Sequence, residues 1–304
     1  IHKAKAQHAD LVIFAEQAVS GTPAFDLLRK TTFLELCEDA LVEIASCCDG
    51  IAAIVGLPIL TADGTISAAA LIQDRKVLRY IGKKYITARR EMGFLVPSKG
   101  YEYATIKGHK CAIIVGDDLS RERDFDQSVE TVISINARKY GKGTMTYRYE
   151  MMRNLAFVES KNLVLVNQVG GSTDIVYDGT SGALNSRGEL VLMMKNFEED
   201  FQIFDTKASA RPISIPSTYN DRTRLVYEAA RCGLRDFFRK NGYRKASIGL
   251  SGGIDSAVVA CLAADALGRQ NIRALLLPSQ FSSDHSVEDA KKLAENLGIE
   301  YNVI

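Results

Sequence analysis

Leu250-Ser-Gly-Gly-Ile-Asp-Ser256 is the stretch that decides the fold of the second part of this chain. Ala246–Leu250, just before it, is predicted to be a buried strand. Ala257–Leu267 has the composition of a helix, which Gly268 would end. The loop between them presents successive backbone N–H groups at a helix N-terminus, where unpaired donors and the helix dipole attract an anion. The stretch therefore predicts a phosphate-binding loop.

The residue types in this loop suit nucleotide phosphates. Gly252 and Gly253 let the backbone approach phosphate oxygens closely, and Ser251 and Ser256 add hydroxyl donors. Bound phosphate would repel Asp255 unless a cation lay between them, so we predict that this carboxylate binds Mg²⁺. A tight turn with glycines for packing is the alternative, but such a turn needs neither two serines nor an acid.

Length and composition narrow the class of protein. A length of 304 residues predicts about two domains, and a hydrophobic content of 46% is ample for real cores. The net charge of +1 gives no case for binding nucleic acid or membrane, and no run of about 18 apolar residues would span a bilayer. The six cysteines have no CxxC spacing, which favours buried thiols in a reducing cytoplasm, and the four histidines have no metal-ligand spacing.

The first two-thirds of the chain alternates predicted strands and helices. Apolar residues recur with helical period at Leu34, Cys37, Leu41, Ile44, Ala45 and Cys48. Strands are predicted at residues 9–14, 51–55, 68–73, 111–115, 131–135, 163–166, 174–178, 189–194 and 201–204, with a turn at Asp63-Gly64. Residues 206–221 carry two prolines without periodicity. The predicted domains are therefore 1–205 and 222–304, joined by a linker over 206–221.

The second domain has a βαβαβ pattern. Strand 246–250, helix 256–267, strand 272–277, helix 286–297 and strand 300–303 follow in order, which predicts a doubly wound parallel sheet with its ligand at the carboxyl ends of the strands. Pro278-Ser-Gln-Phe-Ser-Ser283 lies at that edge and is expected to wall the nucleotide pocket. The chain starts at Ile1 without methionine and stops at Ile304 just after a strand, so we expect a fragment or a chain from which segments are missing.

The phosphate loop resembles that of the ATP pyrophosphatases, which lack the lysine of a Walker P-loop. The flanking segments Gly233-Leu-Arg-Asp-Phe237, Lys240-Asn-Gly-Tyr243 and Leu277–Ser283 are similar to one branch, the NAD synthetases. The resemblance implies an adenine nucleotide α-hydrolase-like domain, truncated at its C-terminus, with Mg²⁺ on Asp255. The ATP-binding residues that it implies are Gly249, Leu250, Ser251, Gly252, Gly253, Ile254, Asp255 and Ser256.

The first domain resembles the nitrilase-type amidase of glutamine-dependent NAD synthetases, an αββα sandwich. Asn167-Gln-Val-Gly-Gly171, Val176-Tyr-Asp-Gly-Thr-Ser181 and Phe197-Glu-Glu-Asp200 carry this resemblance. The family uses a glutamate base, a lysine that holds the oxyanion and a cysteine nucleophile. The resemblance assigns the base to Glu16 and the lysine to Lys83.

The family's nucleophile position falls in Ile114-Val-Gly-Asp-Asp-Leu-Ser120, where Gly116 stands in place of cysteine. Cys111 is an odd number of positions earlier on the same strand, so its side chain is expected on the other face of the sheet. The family's Leu-Pro-Asn-Tyr is replaced by Ile86-Thr-Ala-Arg89. A serine near Asn136 is replaced by Arg138, which would oppose glutamine, whereas Arg148 is kept. We therefore interpret the first domain as an inactive amidase.

The resemblance implies ATP-dependent amidation of deamido-NAD to NAD through an adenylate, with release of AMP and pyrophosphate. With Gly116 in place of the thiol, the expected nitrogen source is ammonia. Three alternatives stay open: a glutamine-hydrolysing synthetase, another ATP pyrophosphatase amidotransferase of the GMP or asparagine synthetase type, and a non-catalytic paralogue. A cytoplasmic protein and a homo-oligomer formed through the amidase domains are also expected.

Overall fold

The computed structural model describes residues 1–207, 211–219, 221–278 and 284–304. They form two compact units, one of Ile1–Val169 with Tyr177–Tyr219 and the other of Gly170–Val176 with Asn220–Ile304. The short stretch Gly170–Val176 thus groups with the second unit although it lies within the first in sequence. The domain bounds 1–205 and 222–304 and the linker 206–221 stay predictions.

Two β-sheets dominate the first unit. The first sheet has the order β1-β2-β3-β4, and the second has the order β12-β11-β8-β7-β6-β5. The strands of the first sheet are β1 (Leu11–Ile13), β2 (Ala52–Thr61), β3 (Gly64–Gln73) and β4 (Lys76–Gly82). The strands of the second sheet are β5 (Glu102–Ile106), β6 (His109–Val115), β7 (Thr131–Asn136), β8 (Asn162–Asn167), β11 (Gly182–Leu184) and β12 (Leu190–Met193).

Strand alternation builds four layers from these sheets. In β6, Ile113 and Val115 point into the core between the sheets, whereas Ala112 and Ile114 point to the outer side. Helix α2 (Thr31–Ser46) covers the first sheet, and α3 (Thr144–Glu159) covers the second. The first unit also contains a short helix α1 (His2–Ala6). A separate two-stranded sheet pairs β9 (Val169–Ser172) with β10 (Ile175–Asp178), and most of β9 and half of β10 lie in the stretch that groups with the second unit. The αββα prediction is confirmed.

The second unit contains a parallel sheet. Helix α4 (Arg222–Lys240) precedes β13 (Ala246–Gly249), α5 (Ile254–Leu267), β14 (Ile272–Leu276), α6 (Asp284–Leu297) and β15 (Glu300–Val303). The strands pair in parallel in the order β13-β14-β15, with α5 and α6 as the crossovers. Their small apolar residues, such as Ala260 and Ala274, form a common core. The predicted α/β class of this domain is confirmed.

Some local predictions differ from the structure. Residues 201–204 do not form a strand. Only a short 3₁₀ turn (Gly116–Ser120) lies between β6 and β7, where the spacing left room for a helix. The hairpin at Asp63-Gly64 is confirmed by the pairing of Thr61 with Gly64. Of the predicted pocket wall over Pro278–Ser283, only Pro278 belongs to the described residues.

Where the structure describes the chain, it contains no helix that is both long enough and apolar enough to cross a membrane.

Candidate functional site

Glu16, Lys83 and Gly116 meet at one end of the sandwich. Glu16 follows β1, Lys83 follows β4 and Gly116 follows β6. The Lys83 Nζ atom lies 3.1 Å from Glu16 Oε1, and the two side chains are only 3% and 2% exposed. A Cβ atom added at Gly116 would lie 2.8 Å from Lys83 Nζ and 2.9 Å from Glu16 Oε2. The structure therefore brings the three predicted positions together.

The backbone and side chain of Glu16 are both held in place. A Cβ atom at Gly56 on β2 would lie 2.7 Å from Glu16 Cα, so only glycine lets the two segments pass this closely. The Ser67 hydroxyl donates to Glu16 Oε1 at 3.0 Å, and the Ala137 N–H donates to Oε2 at 3.1 Å. Both carboxylate oxygens are thus fixed beside position 116.

Glu91 is a member of this cluster that the sequence did not reveal. Lys83 Nζ donates to its two carboxylate oxygens at 2.8 and 3.1 Å. Burial, assisted by the nearby Glu16 carboxylate, raises the pKa of Glu91 to about 7 despite the Lys83 ammonium. Burial by itself would lower the pKa of Lys83, but the two carboxylates outweigh it and hold that pKa above its ordinary value. Lys83 is therefore a cation shared by two acids, and it is not a nucleophile.

The nucleophile position differs from its surroundings in having no side chain. Gly116 has φ +63°, in the left-handed region, where it begins the 3₁₀ turn. Cys111 packs instead in the apolar core between the sheets with Ile113 and Val115, and burial raises its pKa to about 11. Its thiol is thus held in the neutral, unreactive form. The prediction that Cys111 lies on the other face of the sheet is wrong, because Cys111 packs towards the first sheet and position 116 also faces Glu16 and Lys83, which follow strands of that sheet. Five residues along the chain, and burial in the apolar core, separate the thiol from the site.

Arg138 contacts Asp117, the residue that follows the predicted nucleophile position. Its Nε atom donates to Asn136 Oδ1 at 3.2 Å, and its Nη2 atom lies 3.3 Å from Asp117 Oδ1. Nη2 is buried and makes no hydrogen bond. Arg148 has a different environment, in which its Nη2 atom donates to both carboxylate oxygens of the buried Asp178 at 2.9 Å each. Arg148 is therefore part of the framework, whereas Arg138 borders the pocket.

The phosphate loop has its own network of small polar groups in the second unit. Ser256 Oγ accepts a hydrogen bond from the Ser251 N–H at 3.2 Å and lies 3.1 Å from Ser251 Oγ. Gly253 is the N-cap of α5, and no side chain caps this helix. Gly252 has φ +80°, and a Cβ atom there would lie 2.2 Å from the Ser286 carbonyl oxygen at the start of α6. The loop is thus closely packed against α6 on one side, and its helix N-terminus is left without a side-chain cap.

The other residues predicted to bind ATP flank the same loop. Leu250 is buried and donates its N–H to the Leu275 carbonyl at 2.9 Å, which extends the β13–β14 pairing into the loop. A Cβ atom added at Gly249 would meet no other atom within 4 Å, and Ile254 is 75% exposed. These two positions border open space next to the loop.

Asp255 lies in the first turn of α5 with its side chain exposed. Among the described residues, no group of three or more His, Cys, Asp or Glu side chains could hold a metal ion. A single carboxylate fits an Mg²⁺ ion whose other ligands are phosphate oxygens and water, since Mg²⁺ keeps most of its waters and is bound through one or two carboxylates. The residues present therefore suit a metal that arrives with the nucleotide.

The chain thus combines an αββα sandwich, with a buried Glu16–Lys83 pair at one end, and an α/β domain with a glycine-rich loop at a helix N-terminus. Residues 226–304 match the family model described as NAD synthase. The chain is 33% identical to the glutamine-dependent NAD(+) synthetase of Aquifex aeolicus, over 98% of its own length and 60% of that protein. The solved glutamine-dependent NAD+ synthetase of Acinetobacter baumannii, in complex with ADP, has 30% identity and a TM-score of 0.86 over 99% of this chain and 59% of that one.

An amidase from Nesterenkonia sp. has a similar fold, with a TM-score of 0.55 and 18% identity over 64% of this chain and 76% of that chain. By sequence and structure, the chain is similar to the glutamine-dependent NAD(+) synthetases. It spans about three-fifths of the length of the synthetases that it matches.

Proposed function

We propose that the protein containing this chain amidates deamido-NAD to NAD at the expense of ATP, and that it uses ammonia as the nitrogen source. The observation that carries the first part is the uncapped helix N-terminus at Ser251–Ser256, with Asp255 beside it. The proposed substrate class is taken from the synthetases to which the chain is similar. The second part rests on Gly116, which stands between Glu16 and Lys83 without a nucleophile.

The proposed reaction has two steps. In the first step, a carboxylate oxygen of the nicotinate ring attacks the α-phosphorus of ATP. The bond between that phosphorus and the bridging oxygen breaks, and pyrophosphate leaves. In the second step, the nitrogen lone pair of ammonia attacks the acyl carbon, AMP leaves with the bonding pair, and the nitrogen loses a proton to form the carboxamide.

The chain's own groups would mainly position and neutralise the phosphates. The N–H groups at the start of α5 and the hydroxyls of Ser251 and Ser256 can donate to the phosphate oxygens. Mg²⁺ on Asp255 would supply charge compensation for the departing pyrophosphate. In-line positioning by a packed loop lowers the barrier because it replaces an encounter in solution by a fixed approach.

Ammonia is proposed because an acyl-enzyme requires a nucleophilic atom. Glycine offers none, and the neighbouring Lys83 stays protonated because its two acidic partners raise its pKa. Cys111, buried between the sheets, cannot supply the missing thiolate. The glutamine-hydrolysing alternative keeps the geometry of base and lysine but lacks the atom that would form the covalent bond.

Two accompanying proposals concern the state of the protein. The exposed apolar residues of the helices that cover the sandwich, such as Leu36, Val42, Phe157 and Val158, support a homo-oligomer formed through the amidase domains. Light scattering of the full-length protein would test it, and a monomer at micromolar concentration would refute it. The six free thiols suit a reducing compartment, so we propose a cytoplasmic protein.

The test of the synthetase function uses the full-length protein with ATP, Mg²⁺, deamido-NAD and ammonium chloride. NAD and AMP should form in equal amounts. Asp255→Ala should abolish both because the metal loses its protein ligand, whereas Asp289→Ala, which removes an exposed carboxylate from α6, should retain the wild-type rate. Near-normal activity of Asp255→Ala would overturn the metal assignment.

A further inference from the structure

We propose that Arg138 closes the amidase pocket, so that this residue excludes a carboxamide substrate even if a thiol is restored at position 116. The inference rests on the proposed loss of glutamine hydrolysis and extends it. Without a thiol at position 116 the acyl-enzyme cannot form, and Arg138 independently leaves no room for a carboxamide substrate. Arg138 is thus a specificity-determining residue of the first unit.

The topology brings Arg138 to the site. Strands β6 and β7 are parallel neighbours, and Val115 pairs with Ile135, so Gly116 and Asn136 lie at the same edge of the sheet. The next residue, Ala137, donates its N–H to Glu16 Oε2 at 3.1 Å. The main chain therefore passes the base immediately before it reaches Arg138.

The side chain of Arg138 then turns back across this edge. Its backbone N–H donates to Asn167 Oδ1 at 2.8 Å, and its carbonyl accepts from Asn167 Nδ2 at 3.1 Å, so the main chain is clamped by one amide. The guanidinium contacts Asn136 on β7 and Asp117, the residue after Gly116. It thus spans the gap between the ends of β6 and β7, next to the nucleophile position.

The charged groups in this region are paired with one another. Lys83 forms ion pairs with both Glu16 and Glu91, and its terminal atoms lie within 2.8 Å of where a Cβ atom at position 116 would be. Arg138 pairs with Asp117. A neutral carboxamide can offer only dipoles, which replace an ion pair poorly in a largely buried site. Both cations therefore occupy the region beside the nucleophile position.

The pairing of Arg138 can nevertheless be removed without disrupting the fold. The side chains of Arg138 and Asp117 are 18% and 31% exposed, so the loss of this pair leaves Asp117 in contact with solvent. The Thr87 hydroxyl also donates to Asp117 and stays as a partner. Arg138→Ser should therefore open space at the sheet edge and leave Glu16, Lys83 and Glu91 in position.

The experiment restores a thiol in the full-length protein and measures its access to iodoacetamide, a small carboxamide. Gly116→Cys, Gly116→Cys/Arg138→Ser and Gly116→Cys/Arg138→Lys are compared, with Gly116→Cys/Arg121→Ser as the matched control. Arg121 is an exposed arginine that stacks on Tyr85, with its Cζ 4.9 Å from the ring centroid. The alkylation rate at position 116 is followed by peptide mass spectrometry, which separates it from the six native cysteines.

The thiol should react slowly in Gly116→Cys and in the Arg121→Ser control, and up to about fivefold faster with Arg138→Ser, which is the change that the loss of one partly exposed ion pair allows. Arg138→Lys should stay close to the slow rate. Alkylation of Cys111, which is buried between the sheets, should not change, whereas general loosening of the unit would accelerate it. Equal rates with and without Arg138→Ser would overturn the proposal.

Two further measurements keep the result interpretable. If Arg138→Ser lowers the melting temperature markedly, Arg138→Gln gives the same comparison with a polar side chain of intermediate size. Ammonium-supported NAD synthesis is measured on every variant. Its absence in the wild-type protein would count against the proposed function, whereas the alkylation rates bear only on Arg138.

Discussion

Glu91→Gln should remove the pH dependence that Glu91 gives to the stability of the first unit. The pKa of Glu91 rises from its ordinary value of 4.5 to about 7 in the folded protein, chiefly through burial. The folded state then holds a proton that the unfolded state releases between these two values. The contribution of Glu91 to stability is therefore complete below about pH 4.5 and is lost as the pH rises through 7.

The size of the effect follows from the shift. The shift of the Glu91 pKa from 4.5 to about 7 corresponds to roughly 3 kcal/mol, of which about 2 kcal/mol falls between pH 5 and pH 8. Glutamine mimics the neutral acid and cannot ionise. Glu91→Gln should thus resemble the wild type near pH 5 and should be more stable than the wild type by about 2 kcal/mol at pH 8.

The assay is urea unfolding at half-unit intervals from pH 5 to 8, followed by a probe in the first unit. The difference in free energy of unfolding between variant and wild type is plotted against pH, because other titrating groups then cancel. Glu43→Gln, which makes the same charge change on the exposed side of α2, controls for the loss of one charge. A difference that stays constant across the range would refute the raised pKa and the closed charge cluster.

Two further substitutions test the loop and the framework. Gly252→Ala should reduce ATP-dependent NAD formation at least tenfold with the fold intact. Gly252 has φ +80°, and a Cβ atom there would lie 2.2 Å from the Ser286 carbonyl oxygen, so the loop must shift. An unchanged kcat/KM would contradict this packing. Asp178→Ala should destabilise the first unit by about 3–5 kcal/mol, because the Arg148 guanidinium, only 3% exposed, would lose its carboxylate partner and stay buried as an unpaired charge. Calorimetry that gives a melting temperature within a degree of the wild type would count against that pair.

Much of the architecture could be predicted because burial leaves a periodic trace in the sequence. The strand at 111–115 and the helix around Leu41 carry that trace, and both form as predicted. The turn between β13 and α5 was predictable because glycines between an apolar strand and a helix mark a tight turn, and its phosphate binding stays a prediction. Residues 201–204 were wrongly predicted as a strand because an apolar run also suits an irregular segment that packs against a core, as Phe201 does.

The composition of the amidase pocket could be predicted only in part. Glu16 follows a strand that the sequence predicted, whereas Lys83 follows β4 (Lys76–Gly82), which was not predicted, and its assignment came from the resemblance alone. Glu91 lies in an irregular segment, and nothing in its spacing indicates that it reaches Lys83. Gly116 was visible as a missing thiol, but the close approach of Lys83 to position 116 depends on tertiary contacts between distant strands. The sequence therefore identifies a glycine where the resemblance implies a thiol, and the structure shows that Lys83 and Glu16 lie next to it.

The central claim, that nitrogen comes from ammonia because position 116 lacks a nucleophile, is tested most directly by isotope competition. The full-length protein is given ATP, Mg²⁺, deamido-NAD, ¹⁵N-ammonium and unlabelled glutamine at equal concentrations, and the mass of the NAD formed is measured. We predict that the carboxamide carries ¹⁵N almost completely and that no glutamate accumulates. Predominantly unlabelled NAD, with one glutamate released for each NAD formed, would contradict the account.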